Sequence, residues 1–427
     1  MTCGVGVIGA GTVGGGVIQT LLHNQDIISE RAGAPVRLVH VADKFQEQMD
    51  AFELEDISTC NDAYKLIEDP EVQVVCELIG GTEPARSFIT AALNAGKNVV
   101  TANKMLLAMH GEELHEIAVK NGVELRYEAA VAGGIPIIKA LKEGLSANNI
   151  HALYGILNGT CNYILTKMSQ EGRFFKDVLV DAQEKGFAET PPDLDIAGHD
   201  SAHKCQILAS LAYSTRVNLE DIYVEGITHI TQADVTYAGD MGFVIKLLAV
   251  IQQVNGAIDT RVQPMLVPQE LLLASVNDEF NAIYVESDTA GPTLYYGRGA
   301  GRLPTASAVV ADIVDIVQRK NAPAPPPFRY SNELPIRDVG EMESQFYLRF
   351  NTQDHPGVLG RICTILGEHD VGIASCYQNE ESADTPANVV IMTYKTREEN
   401  IRKALADIDP LYFTVEPTQL IRVMHHH

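Results

Sequence analysis

The sequence predicts an α/β protein in three parts: a parallel-sheet domain, an α+β domain, and a small α/β sandwich at the C-terminal end. Three observations predict it. Strand-like and helix-like segments alternate through the first 134 residues, the pace of a parallel sheet wound with helices. A GxGxxG pattern (Gly9, Gly11, Gly14) stands between the first strand and the first helix. The proline-rich run NAPAPPPF at 321–328 cannot sit inside a helix and sets off a final βαββαβ pattern.

Each element follows from local pattern. Residues 3–9, CGVGVIG, form an apolar run rich in β-branched residues. In the next segment Val13, Val17, Leu21 and Leu22 recur at helical spacing. Strands are predicted at 36–41, 72–79 and 98–101, and helices near 61–67, 85–95 and 112–120. The first domain then spans 1–134. The second, 135–320, carries predicted strands at 151–157 and 282–287 and a long amphipathic helix at 195–213. Its last helix, 305–319, has Val309, Ile313 and Ile316 on one face and is expected to pack back on the first domain. Residues 321–344 are read as a linker. In 345–424, Phe346, Leu348 and Phe350 alternate as in a strand, and Val358, Leu359, Ile362, Ile365 and Leu366 follow at helical spacing. Strands at 371–375, 388–394 and 412–423 and a helix with Ile401, Leu405 and Ile408 complete a ferredoxin-like sandwich.

Composition narrows the function. The 427 residues carry a net charge of −24, with 46% hydrophobic residues, so the chain is globular and repels phosphate backbones and anionic lipid. No basic run exceeds a pair such as Arg319-Lys320, which argues against nucleic-acid or membrane partners. No apolar run reaches the ~20 residues of a membrane helix, and no basic residue precedes Arg31 as a signal peptide would require. The seven cysteines are scattered, without CxxC spacing, which reads as reduced thiols in a cytoplasmic protein. His425 to His427 read as a tag remnant.

Chemistry concentrates in a few places. In GxGxxG the first glycine permits a tight turn, the second lets the backbone approach a pyrophosphate, and the third lets helix and strand pack. With a strand before and a helix after, this is a Rossmann-type dinucleotide fingerprint. Gly15 and Gly16 extend the run and are assigned to helix packing. Asp43 ends the second strand, where a carboxylate meets ribose hydroxyls, and Lys44 beside it could meet a 2′-phosphate. The pair leaves NAD and NADP open. Lys104, in TANK after a parallel strand, sits at the ligand-binding edge and is either a surface charge or a catalytic group. The most informative stretch is ETPPDLDIAGHDSAHK, 189–204. Asp200 and Lys204 are four apart on one helix face, and the apolar run 205–211 shows the helix to be mostly buried. His199 and His203 have no third ligand at metal-binding spacing.

These residues match a family. The chain resembles homoserine dehydrogenase over essentially its whole length, through GAGTVG at 9–14, TANK at 101–104, EAAVAGGIP at 128–136, GILNGTCNYIL at 155–165, DLDIAGHDSAHK at 193–204 and GRGAGRLPTASAV at 297–309. DHPGVL at 354–359 resembles the ACT regulatory domain. With no kinase segment before the first strand, the monofunctional form is expected. The resemblance implies reversible hydride transfer between L-homoserine and L-aspartate 4-semialdehyde with NAD(P), in threonine, methionine and isoleucine biosynthesis. It makes Lys204 the general acid/base and Lys104 the second lysine at the reacting oxygen. Glu189 and Asp200 would hold the substrate ammonium, and Thr160 would contact substrate. Gly9, Gly11, Thr12, Val13, Gly14, Asp43, Gly80, Lys104 and Gly301 would meet the cofactor. A monovalent cation, Na+ in kind, would be held by Glu128 and the carbonyls of Val131, Gly133 and Ile135, since oxygen ligands suit a hard cation. Many NADP-preferring members carry a basic residue just before this aspartate. Ala42 stands there, implying that NAD is used at least comparably with NADP.

The resemblance further implies a homodimer or homotetramer and a threonine effector at the ACT domain, separable from the rest by the proline linker. The alternatives are another Rossmann-fold amino-acid dehydrogenase, such as an aspartate dehydrogenase, and a ligand-sensing protein without activity. The first would not need DxxxK together with TANK and NGT. The second would leave both lysines and both carboxylates as accidents.

Overall fold

A computed structural model describes residues 2–188, 190–319, 330–378 and 387–424. Glu189, the proline run, Lys320 and the terminal histidines lie outside the described residues. The chain forms two compact units. The described residues of Met1–Ile150, His203–Leu219 and Asn281–Glu333 make one, and those of His151–Ala202, Glu220–Phe280 and Leu334–His427 the other. This division interleaves along the chain, unlike the consecutive domains expected from the sequence.

The first unit is built on a six-stranded sheet, β1 (Cys3–Ile8), β2 (Val36–Ala42), β3 (Ser58–Cys60), β4 (Val74–Glu77), β5 (Asn98–Thr101) and β6 (Leu125–Arg126), in the order β3-β2-β1-β4-β5-β6. Every pair is parallel. The central strands are buried on both faces, hence their continuous apolar sequences. Around them lie α1 (Thr12–His23), α2 (Gln25–Ala32), α3 (Gln46–Asp50), α4 (Ala63–Glu68), α5 (Ala85–Asn94) and α6 (Lys104–Asn121). The helix Arg302–Gln318 closes one face. Its Ala306, Val309, Ile313 and Ile316 share a core with Val5, Val7, Val17, Ile18 and Leu21. Gly16 is what admits it: a Cβ there would stand 2.4 Å from the Arg302 carbonyl oxygen.

The second unit contains the strand order Ile150–Ile156, Phe243–Val254, Ala257–Pro268, Thr414–Val423, Phe346–Thr352, Ala387–Thr393, Ile373–Gln378. The last four, with helices Val358–Glu368 and Glu398–Ile408, are the predicted βαββαβ sandwich in the spatial order 4-1-3-2, antiparallel throughout. Its last strand pairs in parallel with Ala257–Pro268 through Met265↔Arg422 and Leu266↔Val423. The sandwich is therefore a continuation of a larger sheet. The predicted helix 195–213 is two helices, Asp193–Ile196 and His199–Tyr213. Gly198 breaks it at φ +88°. Among the described residues no helix is long and apolar enough to cross a membrane.

Candidate active site

In the first unit the glycines divide their work by geometry. Gly9 has φ +93°, and a Cβ there would lie 2.8 Å from Ile79 Cγ2. At Gly14 a Cβ would stand 1.7 Å from the Gly9 carbonyl oxygen, so only glycine lets α1 pack there. Gly11 differs: a Cβ would meet nothing within 4 Å. That is backbone exposed to open space at the N-cap of α1, without a side-chain cap. The first N–H groups of the helix, from Thr12, Val13 and Gly14, have no intrahelical acceptor and present a positive end to an anion. These features fit a pyrophosphate.

Asp43 follows β2 on the same edge. Its Oδ2 accepts the Ala10 N–H at 2.6 Å and its Oδ1 the Phe45 N–H at 2.9 Å. The carboxylate thus ties the glycine loop to the end of β2, with further lone pairs left for hydroxyl donors. Gly301 caps the Arg302–Gln318 helix at φ +117°. Arg302 beside it places its guanidinium over the Phe52 ring at 5.6 Å and reaches the Gly15 carbonyl.

The carboxyl ends of β4 and β5 are bound together. Glu77 is fully buried and accepts the Thr101 hydroxyl at 2.8 Å and the Ile79 N–H at 2.9 Å. Burial pushes its carboxyl up, against those hydrogen bonds. Asn103 caps α6 through the Leu106 N–H and donates to the Gly81 carbonyl at 2.6 Å. Gly80 and Gly81 both have positive φ. This lacework sets the turn containing Gly80 against the start of α6, whose first residue is Lys104. Glu77 and Asn103 were not singled out from sequence. The signal for Glu77 was a carboxylate ending the wholly buried strand VVCE.

Lys204 belongs to the same unit and is 8% exposed. Two residues on, Gln206 donates to the carbonyls of Ala108 and Val217 at 3.0 and 2.9 Å. This docks the Lys204 helix on α6, so both lysines stand on elements fastened to each other.

In the second unit Asn158 organises the NGT turn. Its Oδ1 accepts the Cys161 N–H at 2.8 Å, capping the helix Gly159–Glu171. Its Nδ2 donates to Asp195 at 2.8 Å and Asp200 at 2.9 Å. Asp200 is thereby aimed by a side chain the sequence reading did not single out. The Thr160 hydroxyl donates to the Phe187 carbonyl at 2.5 Å and so braces its own loop. The helix Asp193–Ile196 starts without a side-chain cap, although Asp193 and Asp195 stand in its first turn. Asp195 is occupied by Asn158 instead.

The predicted cation ligands lie together in the first unit. Glu128 is buried and accepts the N–H groups of Ile138 and Lys139 at 2.9 and 2.8 Å. Burial pushes its carboxyl up. Gly133 has φ +50°, and a Cβ there would stand 2.6 Å from the Gly299 carbonyl oxygen. Ile135 accepts the Ile137 N–H at 2.8 Å. The donor set, one carboxylate and main-chain carbonyls, fits a hard monovalent cation in kind.

Two family models match: homoserine dehydrogenase over residues 136–314 and the homoserine dehydrogenase NAD-binding domain over 9–128. The homoserine dehydrogenase of Neisseria gonorrhoeae is 42% identical over 426 residues, 98% of either chain. That of Bacillus subtilis is 37% identical, again over 98% of either chain. A crystal structure of a homoserine dehydrogenase from Thiobacillus denitrificans superposes with a TM-score of 0.94 at 41% identity, covering 99% of this chain and 98% of that one. A hyperthermophilic archaeal homoserine dehydrogenase in complex with NADPH, 25% identical, has a TM-score of 0.65 and covers 77% of this chain and 100% of that one.

Proposed function

The chain belongs to the homoserine dehydrogenase family of NAD(P)-dependent oxidoreductases, and on that premise we propose the residues that perform its reaction, the interconversion of L-homoserine and L-aspartate 4-semialdehyde. Bound NAD(P) supplies or takes up the hydride. Lys204 donates the proton to the nascent alkoxide, and its ammonium first stabilises the charge developing there. Lys104 supports the same oxygen from the start of α6. Glu189 and Asp200 hold the substrate ammonium, and Thr160 of the NGT turn contacts the substrate. Gly9, Gly11, Thr12, Val13 and Gly14 receive the pyrophosphate, Gly80 and Gly301 give close backbone approach, and Asp43 takes the ribose hydroxyls. Glu128, Val131, Gly133 and Ile135 hold a Na+-like cation.

The observation that carries this reading is the buried lysine one turn beyond an Asn158-held carboxylate on a single helix. Lys204→Ala should lower the turnover number by ~10²-fold or more, the usual scale of acid-base catalysis. Lys104→Ala should also be strongly impaired. A folded Lys204→Ala enzyme turning over at the wild-type rate overturns the assignment.

We assign residues 345–424 to an ACT module that pairs with a second copy and takes threonine, in a homodimer or homotetramer. Two features support it: the 4-1-3-2 strand order, and Gly357 at φ +96° capping Val358–Glu368 with no side-chain cap, which leaves N–H groups for a carboxylate. Calorimetric titration with threonine should give saturable binding. No heat at millimolar threonine removes the effector and leaves assembly. We also assign the enzyme to the cytoplasm, from seven scattered cysteines without CxxC spacing.

A further inference from the structure

Two side chains of the first sheet and one at the end of α4 form a constellation that the dehydrogenase reaction does not use. Cys60 ends the edge strand β3 and is partly exposed. His40, on the neighbouring β2, is 7% exposed, and its Nε2 lies 3.3 Å from the Cys60 Sγ. Its Nδ1 lies 2.8 Å from Asp69 Oδ2. A carboxylate only accepts, so Nδ1 carries the proton and the Nε2 lone pair faces the thiol. Asp69 is itself held. Its Oδ1 accepts the Glu71 N–H at 2.8 Å, and its carbonyl accepts from Lys97 at 2.6 Å. The order carboxylate, imidazole, thiol is that of an activated nucleophile with an oriented base. The Asp62 carbonyl at 3.1 Å is a second acceptor for the S–H. Of the two acceptors, only the imidazole can carry the proton away.

The position gives this thiol a consequence. The main-chain carbonyl of Cys60 accepts the Asp43 N–H at 3.1 Å, and Asp43 in turn holds the glycine loop. We infer that Cys60, His40 and Asp69 form a thiol-exchange site for a low-molecular-weight disulfide, and that an adduct there lowers cofactor affinity. The link to the cofactor rests on the ribose-binding role proposed for Asp43. His40 Nε2 takes the Cys60 proton, and the thiolate attacks one sulfur of the disulfide. A bond forms from Cys60 Sγ to that sulfur, the original S–S bond breaks, and the departing thiolate takes the proton from His40. Cys60 is oxidised and half of the small disulfide is reduced, so atoms and electrons balance.

Full-length protein exposed to glutathione disulfide at pH 7, followed by peptide mass mapping, tests this. Cys376 is exposed and serves as the internal reference. Cys60 should gain glutathione about tenfold faster than Cys376, because an oriented base stands at its sulfur. His40→Gln and Asp69→Asn should each remove that advantage and leave Cys376 unchanged. The adduct should raise KM for NAD(P) but not for homoserine, dithiothreitol should reverse the rise, and Cys60→Ser should escape it. Labelling of Cys60 no faster than Cys376, or a rate indifferent to both His40→Gln and Asp69→Asn, overturns the site. Fast labelling with an unmoved cofactor KM overturns the control of cofactor affinity. The labelling rates need no turnover, so failure of the thiol site is distinguishable from failure of the Asp43 assignment.

Discussion

Asp43 serves two parts of the backbone with one carboxylate, and that makes it a sensitive residue. Removing it leaves the Ala10 N–H without its acceptor and the glycine loop without its tie to β2. An unmet hydrogen bond of this kind costs about 1–3 kcal/mol, so Asp43→Ala should raise the cofactor KM by roughly 10- to 100-fold while the homoserine KM stays near its wild-type value. Steady-state kinetics with each substrate varied in turn will check it, and an equal loss for both substrates would point to collapse of the unit instead. Asp43 was legible because the end of the second strand is a position with known chemistry. Its second duty was not, since a bond across 33 residues leaves no local pattern. The same holds for Asn158, visible only as part of NGT yet the hub joining Cys161, Asp195 and Asp200. Side chains that hold other side chains belong to the tertiary arrangement, whereas glycines that shape a turn are written in the turn itself.

At the level of elements, periodicity served best where one pattern ran uninterrupted. The strand 98–101 was predicted to the residue, and the βαββαβ order of the C-terminal region emerged from alternation and helical spacing alone. Failures had identifiable physical causes. The helix predicted at 195–213 keeps its apolar rhythm through Gly198, but a Cβ there would press within 3.2–3.3 Å of Val224 and Val262, and φ +88° ends the helix. The two twelve-residue strands Phe243–Val254 and Ala257–Pro268 went unpredicted, although Asn255-Gly256 between them is the dipeptide of a tight hairpin. Both turn residues have positive φ, +53° and +80°. The flanks hid the signal: Phe243–Val254 reads FVIKLLAVIQQV, almost without polar alternation. A nearly continuous apolar run of that length cannot be told from a helix by period alone.

For the whole molecule, the decisive residues are charges buried where the C-terminal sandwich meets the rest of its unit. Arg422, fully buried in the last strand, pairs with Glu398 of the sandwich and with Glu225. Arg349 pairs with the fully buried Asp234 at 2.6 Å, and Tyr347 donates to the same carboxylate at 3.1 Å. Burial works to raise the Glu225 carboxyl, but hydrogen bonds from His229, Arg422 and Tyr223 and the Arg422 charge outweigh it and bring it to about 2. A carboxyl lowered on folding stabilises above its unfolded value and loses that contribution as pH falls through the folded value. Full-length protein should therefore lose stability between roughly pH 4.5 and 2, with about 3 kcal/mol assignable to this group. Arg422→Met should flatten that part of the profile in denaturant titrations, and an unchanged slope would remove Glu225 from the account.

The same charges bear on whether the C-terminal region is an appendage. The proline run at 321–328 makes the region after it look separable from the rest. The packing argues otherwise. Truncation strips Arg422 from Glu225 and both Arg349 and Tyr347 from Asp234, leaving Glu225 with Tyr223 and His229 and Asp234 with Thr231, and both carboxylates without their arginines. Breaking a buried pair by removing one member costs about 3–5 kcal/mol, and two such losses rival the ~5–15 kcal/mol that holds a typical domain together. Truncation also exposes the edge of Ala257–Pro268 that pairs with Thr414–Val423, an apolar strand edge open to aggregation. A 1–335 fragment should therefore be insoluble or unfold far below the full chain, and lose activity for that reason. Replacing Asp234 and Glu225 by Asn and Gln in the fragment should recover part of the loss, because a neutral amide is cheaper to leave unpaired than a carboxylate. A soluble, fully active 1–335 fragment with the native carboxylates in place would show that the sandwich is only attached to the catalytic body.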